Sequence, residues 1–198
     1  MSGVRKRTFR SMGHRTAIAQ VVAGSLLVAH PDLSDQNFRR AVVLVSAHTR
    51  EDGALGVILN RPLERTLGEV HGEFAFGPLA GVKLYRGGPV SPEQMLLSAW
   101  QWNAEEGIFR LHFGISKEKA EELLQNEPGT EVRGFLGYAG WTGGQLEGEL
   151  KEKAWVIASI EQPVFEKEEG EGLWKNLLGR VKPELRFRAD APDDPSVN

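Results

Sequence analysis

Apolar residues fall into short runs through the first half of the chain and take helical spacing mainly in the second. Residues 24–29 (GSLLVA) predict a buried strand stopped by His30 and Pro31, residues 41–47 (AVVLVSA) a second, and residues 55–59 (LGVIL) a third. The link at 48–53 is short and polar and sets Asp52 beside Gly53, which favours an antiparallel hairpin. Further strands are predicted at 82–85, 95–100 and 108–113, each bounded by Gly or Pro. Helical spacing then appears at 116–126, with Ser116 as N-cap, Lys119 where a capping box carries Glu, Leu123 and Leu124 as apolar contacts, and Pro128 as the stop. A strand at 132–138, a helix at 142–151, a strand at 155–160 and a last helix at 172–178 ending at Gly179 complete the pattern, and a short helix also fits 63–70. Hairpin-linked strands followed by late helices predict an α+β protein, with a few helices flanking a largely antiparallel, strongly curved sheet.

The length of 198 residues favours one compact domain. Its expected limits are residues 20–188, after a basic, flexible leader at 1–19 and before a flexible acidic tail at 189–198, where three Asp and two Pro oppose a packed core. A composition of 40% hydrophobic and 26% charged residues is that of a globular protein. The sequence has no cysteine, which excludes disulfides, thiolate metal sites and a cysteine nucleophile and is compatible with a reducing cytoplasm, the expected location. No apolar run is long enough to span a bilayer as a helix, so no membrane association is expected.

Charge divides the chain. Arg5, Lys6, Arg7, Arg10 and Arg15 stand in the first sixteen residues without an acid, so residues 17–198 carry −8 of the formal net −3. A body that acidic repels a phosphate backbone, and nucleic-acid binding through it is not expected.

The stretch FLGYAGWTGGQLEGELKEKAW, residues 135–155, concentrates glycine and tryptophan. Its glycines follow G-x-x-G-x-x-G-G, which is neither the dinucleotide fingerprint nor a phosphate loop, and no lysine follows them to hold a phosphate. Close backbone approach at a strand end and a free entry into the helix account for them better. On that helix Leu146 and Leu150 share the core-facing side, while Gln145 and Glu149 lie four apart on a neighbouring face. The last two either brace the glycine turn or line a groove floored by Trp141.

These residues resemble the signature of the YqgE/AlgH family: Gly137–Tyr138–Ala139–Gly140–Trp141, then Gln145, Leu146, Glu149 and Trp155. The likeness continues upstream in GSLLVAHPDLSDQNFRRAVVLVSAH (24–48), GALGVILNRPL (53–63) and YRGGPV (85–90), four blocks in one order covering roughly residues 20–185. The resemblance implies a compact α+β fold with a bifurcated, barrel-like sheet, no established catalytic residues and no cofactor. It also implies a bacterial protein of unknown molecular function, some members being described as regulators of transcription or of exopolysaccharide production. Many members carry an acidic residue where this chain has Ala47, beside His48.

Several polar residues remain as candidates for chemistry. Asp35, Arg39 or Arg40, His48, Asn60 and Arg61 stand at or near strand ends, where sites gather, and together would make a binding cluster for a small ligand or a hydrolase centred on His48. The structural alternative makes Asp35 the cap of a turn that buries Phe38. Trp141, Gln145 and Glu149 form a second candidate surface, for a protein partner. Arg86, Gly87 and Gly88 form a third, whose backbone amides could take an anion or simply reverse the chain. The five histidines are isolated in sequence, so no metal site is expected, and Ser46, His48 and Asp52 lack the strained elbow of a hydrolase. These observations lean away from an enzyme and toward a noncatalytic regulatory or interaction protein.

Overall fold

The computed structural model describes residues 21, 23–103, 105–160 and 169–189, together with the backbone of 6–10. Hydrophobic runs without alternation sit where both faces of a strand are covered. So β2 (Leu26–Ala29) and the first four residues of β3 (Val42–Thr49) are fully buried. β3 turns tightly into β4 (Gly53–Ile58), and the pairing of Thr49 with Gly53 confirms the predicted hairpin. Asp52 stabilises that turn by accepting the Thr49 hydroxyl at 2.9 Å.

Among the described residues ten strands make one mixed sheet, curled into a half-barrel. Besides those three, it contains β1 (Lys6–Arg10), β5 (Pro62–Thr66), β6 (Lys83–Arg86), β7 (Val90–Asn103), β8 (Ile108–Ile115), β9 (Glu131–Trp141) and β10 (Trp155–Ala158). The main path runs β1-β8-β7-β9-β4-β3-β2-β10 with antiparallel neighbours. At β9 the sheet forks: Gly134 to Leu136 also pair in parallel with β6, which in turn carries β5. One apolar cluster fills the space around β2, β3 and β4, and a second gathers Leu67, Phe74, Leu84, Leu97 and Leu123. Arg133 lies buried between the rings of Tyr85 and Trp100, 4.8 and 5.0 Å from their centroids, with Glu131 2.6 Å away.

Among the described residues five α-helices flank the sheet: α1 (Leu67–Val70), α2 (Lys117–Asn126), α3 (Gln145–Lys151), α4 (Gly170–Val181) and α5 (Arg186–Ala189). Ser116 caps α2 as expected, accepting the Lys119 amide at 3.2 Å. Four expectations differ from the structure. Residues 63–66 of the predicted short helix are strand, because Pro62 and Thr66 pair with Tyr85 and Lys83, and helix begins only at Leu67. α3 starts at Gln145 rather than 142, since Gly144 takes a left-handed φ of 76° ahead of it. α4 runs through Gly179, where the burial of Leu173, Trp174, Leu177 and Leu178 outweighs a glycine cost of about 1 kcal/mol. Lys6–Arg10, inside the stretch expected to be a flexible leader, pairs antiparallel with β8. Of the expected tail, Ala189 is buried at the end of α5, and residues 190–198 lie outside the described residues. Among the described residues no helix is long and apolar enough to cross a membrane.

The glycine density has a steric cause. Gly53 carries a φ of 93°, and a methyl group on it would overlap the Trp141 carbonyl oxygen; one on Gly143 would overlap the Glu51 carbonyl oxygen. The β3–β4 turn and the turn at 142–144 thus lie backbone against backbone, and a side chain at either glycine would part them.

Candidate functional site

The loop between β2 and β3 lies between two polar clusters. Its turn is made by Asp35, whose Oδ1 accepts the amides of Asn37 at 2.8 Å and Phe38 at 3.1 Å. Phe38 thereby reaches inward, stacking on Trp141 with centroids 5.8 Å apart and meeting Trp155 edge-on at 5.5 Å. Both indoles are 5% exposed, and each donates its Nε1–H to Glu149 Oε2, at 2.8 Å from Trp141 and 2.7 Å from Trp155. Gln145 Nε2 donates to the other oxygen at 3.0 Å, while its own Oε1 accepts the Thr142 amide at 3.1 Å. Trp141, Gln145 and Glu149 therefore come together as a brace that holds the Phe38 loop and the turn entering α3. Two buried indole donors need an acceptor, and Glu149 is that acceptor for both.

His48 is elsewhere. β3 has Val42 beside Asn60 and carries His48 six residues along, about 20 Å away at strand rise. Its Nδ1 stands 3.0 Å from the Val21 carbonyl and its Nε2 2.9 Å from Glu147 Oε1, joining Val21 to α3. The predicted cluster is thus divided, and a hydrolase centred on His48 with Asn60 and Arg61 is not assembled. Ser46 donates to the Leu55 carbonyl and Asp52 bonds Thr49, so neither turns to His48. Burial pushes the Glu147 carboxyl up, yet its own backbone amide, the His48 hydrogen bond and the charges of His48 and Arg50 outweigh burial and hold it below the usual range. A depressed carboxyl contributes stability above its unfolded value, near pH 4.3, and loses it as pH falls through the lower folded value. Urea unfolding at pH 7 and at a pH below the ordinary glutamate range should therefore show wild type more stable than Glu147→Gln at the first, with the gap reduced at the second. A gap equal at both pH values would contradict this linkage.

Asp35, Arg39, Asn60 and Arg61 do converge. Asn60 is 5% exposed and clamps three backbone groups: Oδ1 accepts the Val42 amide, and Nδ2 donates to the carbonyls of Arg40 and Gly170, each at 2.9 Å. Arg40 is thereby held at a φ of 55°, unusual for a side-chain-bearing residue. Arg61 Nη2 donates to the Arg39 carbonyl at 3.2 Å. A cleft of about 270 Å³ opens here, lined by Gln36, Arg39, Arg40, Asn60, Arg61 and the first turn of α4. Burial, then the charge of Arg86, opposed by Asp35 and joined by Arg39, holds the Arg61 guanidinium below its ordinary value. It remains a cation at neutral pH, so like charges have been gathered on a partly dehydrated surface.

Two tethers fix α4 at the rim. Glu169, just before it, accepts Lys83 Nζ at 2.7 Å and the Tyr85 hydroxyl at 2.9 Å, and Trp174 Nε1 donates to the Ala29 carbonyl at 2.7 Å. The third predicted candidate fares differently. The amides of Arg86 and Gly87 are taken by the carbonyls of Arg61 and Leu136, because β6 ends by docking on β9, so these amides do not face an anion. Arg86 instead belongs to the arginine group by its charge. Sequence reasoning missed Glu147 and Glu171. Glu171 lies 131 positions from its partner Arg40, and no local spacing signals it.

A single-domain α+β half-barrel, with a tryptophan–carboxylate brace at one side of a loop and an arginine cleft at the other, defines the class of this protein. The AlgH-like family model matches residues 26–186, and the chain belongs to that family. A UPF0301 protein of Streptomyces coelicolor is 41% identical over 188 residues, covering 89% of this chain and 95% of the relative. One of Bacteroides fragilis is 32% identical over 181 residues, covering 88% and 90%. The crystal structure of protein DIP2367 from Corynebacterium diphtheriae aligns with a TM-score of 0.65 at 22% identity, covering 87% of this chain and 94% of that one. The solution structure of AlgH from Pseudomonas aeruginosa aligns at 0.60 and 22%, covering 91% and 100%; at this identity both show a shared fold.

Proposed function

We propose that this chain is a noncatalytic binding protein of the bacterial cytoplasm that recognises an anionic group on a partner through the arginine cleft. The observation carrying this reading is Arg61, half-buried in a concave surface that Arg39 and Arg40 also line, with the charge of Arg86 close by outside it. Guanidinium forks suit carboxylate and phosphate oxygens, and an arriving anion relieves the repulsion among these cations. Some members of the family are described as regulators, and binding a partner suits such a role.

The test is binding of a fluorescein-labelled hexaglutamate peptide and of inorganic phosphate to the full chain at low ionic strength. Arg61→Met should weaken binding about tenfold or more, the worth of one charge-assisted pair, with the melting temperature kept within a few degrees. Equal affinity of both chains for these probes would remove the cleft from consideration.

A further inference from the structure

The cleft already contains an anion supplied by the chain itself. Glu171, the second residue of α4, receives Arg40 Nη1 on both carboxylate oxygens, at 2.9 and 2.8 Å. The two partners differ in how they are held. Arg40's side chain is 18% exposed and lies 5.6 Å from the Trp174 ring centroid, and its backbone is clamped by Asn60; Glu171's side chain is 57% exposed. An ion pair with one partner that open to water adds little to folding stability. Arg40 is therefore positioned independently of Glu171, while the Glu171 carboxylate can leave for water at small cost.

We infer that Glu171 is an internal stand-in for the ligand, and that the anionic group binds by displacing it from Arg40. This rests on the reading of the cleft as an anion site and adds to it the ligand chemistry and a built-in control of affinity. The group that fits is an oxyanion able to present two oxygens to Arg40 Nη1, as the Glu171 carboxylate does and as a phosphate can. Arg61, with Arg39 and Arg86 beside it, supplies the charge that favours the incoming anion. Because Glu171 is tethered to α4, it competes at a high effective concentration, so the chain holds the cleft in a self-occupied state until a multiply charged partner arrives. Acidic side chains of a partner protein and a free phosphate compound share this chemistry.

The experiment uses the full chain as wild type, Glu171→Gln, Arg61→Met and the double variant, with thermal melting to verify that each is folded. Anisotropy of the labelled hexaglutamate peptide is read directly and in competition with inorganic phosphate. Glu171→Gln should tighten binding about fivefold or more, the usual lower range of a coupling between two sites, and Arg61→Met should weaken it in both backgrounds. Tightening seen with the peptide assigns the source to acidic side chains; tightening seen with phosphate alone assigns it to a free phosphate compound and equally supports displacement. Unchanged affinity in Glu171→Gln, with Arg61→Met still weakening binding, overturns the stand-in and leaves the cleft standing. If Arg61→Met has no effect even beside Glu171→Gln, the cleft reading itself falls.

Discussion

Replacing Glu149 by alanine is expected to lower the unfolding free energy by about 2–6 kcal/mol, because two buried indole N–H groups lose their shared acceptor and each such orphan costs about 1–3 kcal/mol. For a chain of this size that corresponds to a fall in Tm of several degrees, at about 2–4 °C per kcal/mol. Glu149→Gln keeps one oxygen acceptor and should fall between the two. The loss should also extend to binding. Phe38 packs on Trp141 and Trp155, and the next two residues of its loop, Arg39 and Arg40, line the cleft. A loosened brace therefore disorders the arginines as well as the core. Denaturant unfolding checks the first effect and peptide anisotropy the second; a Glu149→Ala chain as stable as wild type would show that the indoles find other acceptors.

Gly53→Ala is the second large effect. The left-handed backbone there strains any side chain, at about 1–3 kcal/mol, and the added methyl overlaps the Trp141 carbonyl, which the paired strands β4 and β9 hold in place. Overpacking of this kind adds about 1–3 kcal/mol more. Gly72→Ala is the matched control. Gly72 has no atom within 4 Å of a built methyl, and its substitution should stay within about 0.5 kcal/mol of wild type. Equal denaturant midpoints for the two variants would refute the close approach of the two turns.

How much of this was legible depended on the range of the interaction. The hairpin at β3 and β4 was readable because two apolar runs, the polar link between them and Asp52–Gly53 all lie within residues 41–59. Leu63, Leu67 and Val70 have helical spacing, but pairing with β6 claims Pro62 and Thr66 for strand, and that partner lies some twenty residues away. Gly179 is a stop signal in isolation and an interior helix residue once its neighbours bury their side chains. In the site, Asp35, Arg39, Asn60 and Arg61 were grouped from sequence as polar residues at or near strand ends, and the fold brings them near one another. His48 was grouped with them because it follows the same strand, although a strand separates its two ends by its full length. Arg86 was read through its glycine neighbours, whereas its charge is what reaches Arg61.

By itself, then, the sequence determined the α+β class, most strand positions, the cap of α2, the family, and the exclusion of thiol chemistry, since each depends on composition or on residues close together in the chain. Tertiary structure alone decided which polar groups meet which partners. Whether a carboxylate satisfies two indoles, as Glu149 does, or lies on an arginine from 131 positions away, as Glu171 does, depends on distances set by folding. Hydrogen bonds and charge interactions act through space, over a few ångströms, and sequence separation carries no record of them.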